Sequence, residues 1–539
     1  MSEVTARARR RRIPATLSVL LLVGALATAC GGAASTTAST SGGASQAGST
    51  TPAASVSGAP HAAKNEVVVE QGVDANTLDP GFTNSTPESN ILINMMQGLT
   101  TFNSKEQVVP ELATSWKNIN PTTWQFQLRK GVKFQNGEPF NATAVQYRFN
   151  RDASKTIKET NGTDVTIHFK SVKIVNPYEV DIITTQPEPL LPYLIANFYM
   201  LPPKYYSSHP LSYLATHPVG TGPFKFVSWV KNVAITETTW SGYWGPKPAL
   251  KTIVFKPQST AAAQMDALKT GSADITTVLT PSLIKQIDAF PNATVKGFKS
   301  GRDVFIGINF RKPWMQNVLV RQALNYAVNW NAIKTGLLDG YGSRMSSIVV
   351  SRDKNPAIKA YPYDPTKAKQ LLAEAHFPMS KNITLDTPVG RYTDDEQIAE
   401  VVGSDLNKIG MHVTVKPIPW SLYAGSMLMQ GTMNSLFLIG LGSSYTAQQN
   451  LLWVAPHFAL QMTNWNDPTF NKAYNALTQT FNPAQRQQLA YAAQQAVYNN
   501  PPWIFLWQQW EFYGVNKDLN YTPRSDETIP LWNVSWKTK

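Results

Sequence analysis

Ile398-Ala399-Glu400-Val401-Val402-Gly403-Ser404-Asp405-Leu406-Asn407-Lys408-Ile409-Gly410-Met411-His412-Val413-Thr414-Val415-Lys416 changes its apolar period at one glycine. Before Gly410, Ile398, Val401, Val402, Leu406 and Ile409 share one helical face; after it, His412 to Lys416 alternates like a strand. Upstream, Val320, Ala323, Leu324, Ala327 and Val328 repeat the helical stripe. So do Ala368, Leu371, Leu372 and Ala375, behind Asp364 as a predicted N-cap and Pro365 at the first helical position. Helix, glycine, strand is an α/β unit, and the second half reads as a mixed α/β domain.

The first third has the other period. Val67-Val68-Val69-Glu70-Gln71-Gly72 reads as a buried strand ending in a turn, followed by the loop Asn76-Thr77-Leu78-Asp79-Pro80 and a helix from Asn90 to Gln97. Thr123 to Arg129 and Val132-Lys133-Phe134 alternate apolar and polar, with Asn136-Gly137 as a tight turn, and Val172 to Val175 and Val180 to Ile182 continue the pattern. No short repeat runs through the chain, which excludes a solenoid or propeller.

Arg7, Arg9, Arg10, Arg11 and Arg12 precede an apolar run from Leu17 to Ala29, and this run ends at Cys30, the only cysteine in 539 residues. That is signal-peptide layout, and the segment falls short of the roughly 20 apolar residues a spanning helix needs. Leu26-Ala27-Thr28-Ala29-Cys30 resembles a lipobox. Residues 1–29 are therefore expected to be removed, and Cys30 to carry a lipid holding the protein at the outer face of the cell membrane or in the periplasm. Residues 30–64 are almost all Gly, Ala, Ser, Thr and Pro, too poor in apolar surface to offset chain entropy, and are expected to be a flexible tether.

With Cys30 lipidated, the body beginning near Asn65 has no thiol for a disulfide or a zinc site. The chain carries 48 basic and 35 acidic residues. Removing the leader takes five arginines and Glu3, which leaves 43 against 34, a net charge of +9. The basic residues are scattered and do not interleave with aromatics, so nucleic acid is not an expected partner. Seven histidines are dispersed without HExxH or i, i+4 spacing, so no metal and no cofactor is expected. No Gly-x-Ser-x-Gly elbow or nucleophile set supports an enzyme. Asp394-Asp395 reads as a solvated pair, and Gly220-Thr221-Gly222-Pro223 as a tight turn that needs glycine dihedrals. The 15 Trp and 20 Tyr suit a lined binding cleft.

Several blocks, in order, carry a family resemblance: Pro110 to Trp116, Phe126 to Phe140, Gly220 to Phe224, Tyr243 to Pro248, Val320 to Ala327 and Tyr363 to Ala368. Together they resemble the bacterial extracellular solute-binding proteins of family 5, the peptide, dipeptide and nickel type that serve ABC importers. The resemblance implies an α/β, two-lobed periplasmic-binding-protein-like fold of the cluster C type, with an extra domain inserted in the first lobe. Carried over, lobe I is 65–103, 216–298 and 506–539, the inserted domain is 104–215, and lobe II is 299–505. It also implies a monomer that captures a peptide or other small solute between its lobes and delivers it to a permease and ATPase complex by hinge closure. A sensor or partner-binding lipoprotein on the same scaffold, and a receptor for oligosaccharides, stand as alternatives.

Relatives that bind peptides present an aspartate from a Trp-x-x-Asp-Tyr segment. The matching stretch here is Leu441-Gly442-Ser443-Ser444-Tyr445, and Ser444 cannot neutralise an ammonium. The resemblance places Gly442, Ser444 and Tyr445 at the ligand, with Asp303 as a substitute acid. Trp420 and Trp507 are its candidate cleft aromatics, and Asn84 and Ser85 edge the ligand from the loop after Asp79-Pro80.

Overall fold

The computed structural model describes residues 65–83, 85–157, 159, 168–350, 353–428, 430–442 and 446–537. Residues 1–29, Cys30 and residues 31–64, expected above to be a signal peptide, a lipidation site and a tether, lie outside the described residues.

The main sheet runs, neighbour to neighbour, through His412–Ile418, Asn382–Pro388, Leu436–Leu441, Ala293–Ile308, Trp503–Asn516, Ile275–Thr276, Glu66–Gln71, Thr252–Pro257, Ala234–Thr239 and Phe224–Val230. Where both faces of a strand are covered, its residues form an apolar run. Leu436–Leu441 is buried at every position, and Val67, Val68 and Val69 are buried together. At the sheet's edge, His412–Ile418 keeps the alternation expected of one wet face. A separate four-stranded antiparallel sheet is built from Ala113–Asn120, Thr123–Leu128, Glu179–Thr184 and Phe169–Asn176.

The three largest apolar cores among the described residues lie in the parts of the chain that form the two-lobed fold. One gathers Val304, Leu324, Ile398 and Trp507; a second gathers Val67, Leu92, Ile253 and Ile529; a third, over the small sheet, gathers Phe126, Phe149 and Ile182. Two long strands, Ala293–Ile308 and Trp503–Asn516, pair with each other from the second core into the first. Their register breaks between Lys299 and Asp303, which face Trp510 and Gln508. Ser300, Gly301 and Arg302 are thereby left out of the ladder at the crossing, a bulge that re-aims side chains.

The helical stripes form helices at Val318–Ala327, Pro365–Glu374 and Asp395–Lys408. Asp364 caps the second of these, accepting from the Lys367 amide at 2.8 Å. Gly410 takes φ +96° and ends the third. Three expectations are corrected. Val132-Lys133-Phe134 is no strand and contributes only a bridge from Lys133 to Pro139 around the Asn136-Gly137 turn. The first helix runs Thr86–Met95, earlier than its apolar residues suggest, because Pro87 opens it. Gly220 and Gly222 are required by close approach, not by dihedrals: a Cβ would meet the Met95 carbonyl oxygen at 2.3 Å and 2.8 Å.

Glu237, on the strand Ala234–Thr239, faces Ile253 in the second core with no exposed surface, and neither carboxyl oxygen has a partner among the described residues. Burial pushes this carboxyl well above its ordinary 4.5. The fold keeps the proton that the unfolded chain releases above pH 4.5, so this contribution is complete at low pH and is lost as pH rises. Glu237→Gln is expected to flatten the fall in unfolding temperature between pH 5 and pH 8. An unchanged slope in calorimetry would show that Glu237 is not protonated in the fold.

Candidate functional site

In open α/β sheets ligands sit beyond the carboxyl ends of parallel strands. Two such ends converge here: Gln71-Gly72 after Glu66–Gln71, and Gly390-Arg391-Tyr392 after Asn382–Pro388. With the start of helix Thr86–Met95 and the crossing strand, they enclose a cavity of about 40 Å³ lined by Gln71, Thr86, Asn90, Arg391, Glu511 and Glu527. Thr86 also lines a neighbouring cavity of about 210 Å³, walled by Ser89, Phe102, Tyr193, Asn197 and Gln449.

The bulge builds the floor. Arg302 Nε donates to Glu527 Oε1 and Oε2 at 2.9 Å and 3.0 Å, Nη1 to the Gly440 carbonyl at 3.0 Å and Nη2 to Thr86 Oγ1 at 2.7 Å. Ser300 Oγ also donates to Glu527. Glu527 holds φ +63°, a costly conformation for a non-glycine residue that these contacts enforce. Burial alone would raise its carboxyl; the Arg302 guanidinium outweighs burial and holds it below the ordinary range. Gly440 and Gly442 leave room for this guanidinium, since a Cβ would stand 3.0 Å from Arg302 Cδ or 2.9 Å from its Nη2.

The wall opposite the helix is the 390–395 turn. Asp395, read from sequence as solvated, is buried and accepts backbone N–H bonds from Gly390, Arg391, Tyr392 and Glu396 at 3.3, 2.9, 3.1 and 3.0 Å. Asp394 takes φ +53° to make this turn. It presents Arg391, whose guanidinium carbon lies 4.8 Å from the Tyr392 ring centre and 5.2 Å from that of Trp420. Arg391 Nε is buried without a hydrogen-bond partner, and among the described residues no carboxylate lies within ion-pair distance of this guanidinium. Across the cavity, burial pushes the Glu511 carboxyl up to about 8, with the Glu527 charge adding to it and Arg302 and Arg391 opposing. Among the described residues no group of three His, Cys, Asp or Glu could hold a metal.

The family model for the middle region of bacterial extracellular solute-binding proteins, family 5, matches residues 107–488. This chain belongs to that family. Its members are the solute-binding proteins of ABC importers. The glutathione-binding protein GsiB of Escherichia coli K12 is 27% identical over 463 residues, 82% of this chain and 89% of that one. Among solved structures, Helicobacter pylori DppA in complex with the peptide STSA has a TM-score of 0.82 at 22% identity, covering 88% of this chain and 98% of that one. Campylobacter jejuni NikZ with Ni(L-His) has 0.78 at 23%, covering 88% and 100%. Such structures establish the two-lobed mixed α/β fold.

The solute-binding protein places its sequence-predicted residues unevenly. Trp420 is buried, stacks on Tyr423 at 6.0 Å and supports Arg391 from below, with its Nε1 unpartnered. Gly442 touches Arg302, and Ser85 stands at the N-cap position of helix Thr86–Met95. Asp303 and Trp507 line neither cavity. Trp507 is 1% exposed, 6.1 Å from the Trp330 ring inside the core. Asp303 is 1% exposed, with Oδ1 unpartnered and its carboxyl raised well above 3.8 by burial. Asn84, Ser444 and Tyr445 lie outside the described residues. Sequence reasoning missed Arg391, Arg302, Glu511 and Glu527; the signal that could have found Arg391 is its place just beyond Asn382–Pro388, a strand the sequence analysis did not identify.

Proposed function

We propose that this protein captures a small solute bearing a carboxylate between its lobes and hands it to an importer's permease, held at the membrane by a lipid on Cys30. The observation that carries the solute reading is the unpaired Arg391 guanidinium at the interlobe cavity. A half-buried guanidinium without a carboxylate is stabilised by an anion in the bidentate geometry it is built for. Of the relatives named above, GsiB is a glutathione-binding protein and DppA is in complex with a peptide; both ligands carry carboxylates, which agrees with such a group. The bulge in the pair of strands that crosses between the two cores supports a hinge there that would close the lobes around the solute.

A thermal-shift panel of glutathione, short peptides, N-acylated amino acids and sugar acids, each beside its carboxamide twin, tests the reading. Acids are expected to raise the unfolding temperature and their carboxamides not to. Arg391→Ala is expected to weaken the best acid about 10- to 100-fold, the worth of a hydrogen-bonded charge. Equal affinity in variant and parent would remove Arg391 from the site. For the anchor, Cys30→Ser is expected to move the protein from the membrane to the soluble fraction; a membrane-bound serine variant would count against lipidation.

A further inference from the structure

The charges around the two cavities are nearly all spoken for within the protein. Arg148, on the larger cavity, donates to Glu159 at 2.9 Å and to the Tyr199 carbonyl at 3.0 Å. Asp526 accepts from Arg524 Nε at 3.0 Å and from the Thr528 hydroxyl at 2.7 Å. Glu527 is held by Arg302, and Glu511 accepts from the Gln509 amide at 2.6 Å. Arg391 is the exception. The remaining polar groups on the larger cavity are neutral hydroxyls and amides, Thr83, Ser89, Asn197 and Gln449 among them, and they stand beside the rings of Phe102 and Tyr193.

Resting on the solute-binding reading above, we infer that the solute is a carboxylic acid whose body is otherwise uncharged and rich in hydroxyl or amide groups, such as a sugar acid or an acylated or glycosylated amino acid. Its carboxylate meets Arg391 in the smaller cavity, and its neutral body passes Thr86 into the larger one. Hydroxyls and amides exchange hydrogen bonds with walls of the same kind, and aromatic rings cover the apolar faces of a sugar. A free ammonium buried in the same place would find each carboxylate on the two cavities already engaged within the protein, Asp526 by Arg524, Glu527 by Arg302 and Glu511 by Gln509, and an unpaired buried charge is strongly unfavourable. The raised carboxyl of Glu511 agrees with this, because it keeps that group neutral near pH 7.

Isothermal titration of the intact protein with four probes separates the possibilities: N-gluconyl-alanine, its carboxamide, dialanine and N-acetyl-dialanine. N-gluconyl-alanine is expected to bind most tightly. Its carboxamide and the zwitterionic dialanine are each expected to be weaker by about tenfold or more. N-acetyl-dialanine is expected to bind more tightly than dialanine. Dialanine binding more tightly than its N-acetyl twin, with that preference abolished by Glu511→Gln, would overturn the inference while leaving the solute-binding reading intact. If no probe, glutathione or longer peptide binds and Arg391→Ala changes nothing, the solute-binding reading falls together with the inference.

Discussion

Replacing Arg302 by methionine is expected to lower the free energy of unfolding by about 3–5 kcal/mol, the cost of stranding one partner of a buried ion pair. Both side chains are almost inaccessible, at 3% and 4%. Arg302 joins parts of the chain that are far apart in sequence: Thr86 at the first helix, Gly440 on the neighbouring strand Leu436–Leu441, and Glu527 near the C-terminus. The Gly301 amide donates to the Ser525 carbonyl at 2.9 Å, so the C-terminal segment is sewn to the bulge by backbone as well. The sign with pH follows from Glu527. Its carboxyl is held below the ordinary 4.5, so its contribution is complete above that value and is lost as pH falls through the folded value. This is opposite to Glu237. Urea unfolding at pH 7 should therefore show Arg302→Met and Glu527→Gln both destabilised, and the double variant Arg302→Met/Glu527→Met more stable than either single one. Singles within about 0.5 kcal/mol of the parent, the usual range for a surface change, would mean the pair is not desolvated as the structure has it.

The class of fold was legible because it rests on periodicity. Ile398, Val402 and Leu406 form a stripe on any helix, and all three are buried. Gly410 marked the helix end because only glycine adopts its φ of +96° without strain. The bulge at 300–302 was not legible: nothing in Ser300-Gly301-Arg302 distinguishes three residues expelled from a ladder from three within it, since the expulsion is set by Glu527 and Ser525, more than 200 positions away. Trp507 was ambiguous for a related reason. A tryptophan on a strand near a crossing suits a cleft or a core equally well, and Trp330, brought in from a helix, decides for the core. Arg391 and Asp395 share one polar stretch, where every charge looks solvated until the turn folds one carboxylate inward and leaves one guanidinium outward.

That turn carries the second large effect. Asp395→Asn is expected to cost about 2 kcal/mol of stability, because an amide keeps one acceptor oxygen and directs N–H groups at backbone donors that then lack a partner. Burial lifts the Asp395 carboxyl to about 6 against the pull of those N–H bonds, so at pH 7 it is the ionised acceptor that the turn is built around. The same substitution is expected to weaken an acidic solute about tenfold, although Asp395 lines neither cavity, because the turn it organises aims Arg391. A purely structural role and a positioning role predict different double-mutant cycles. If Asp395 acts on the solute through Arg391, then adding Asp395→Asn to Arg391→Ala should cost stability again but no further affinity. Additive affinity losses would show that Asp395 shapes the cleft by another route, and an unchanged affinity in the single variant would leave it as a structural brace of the 390–395 turn alone.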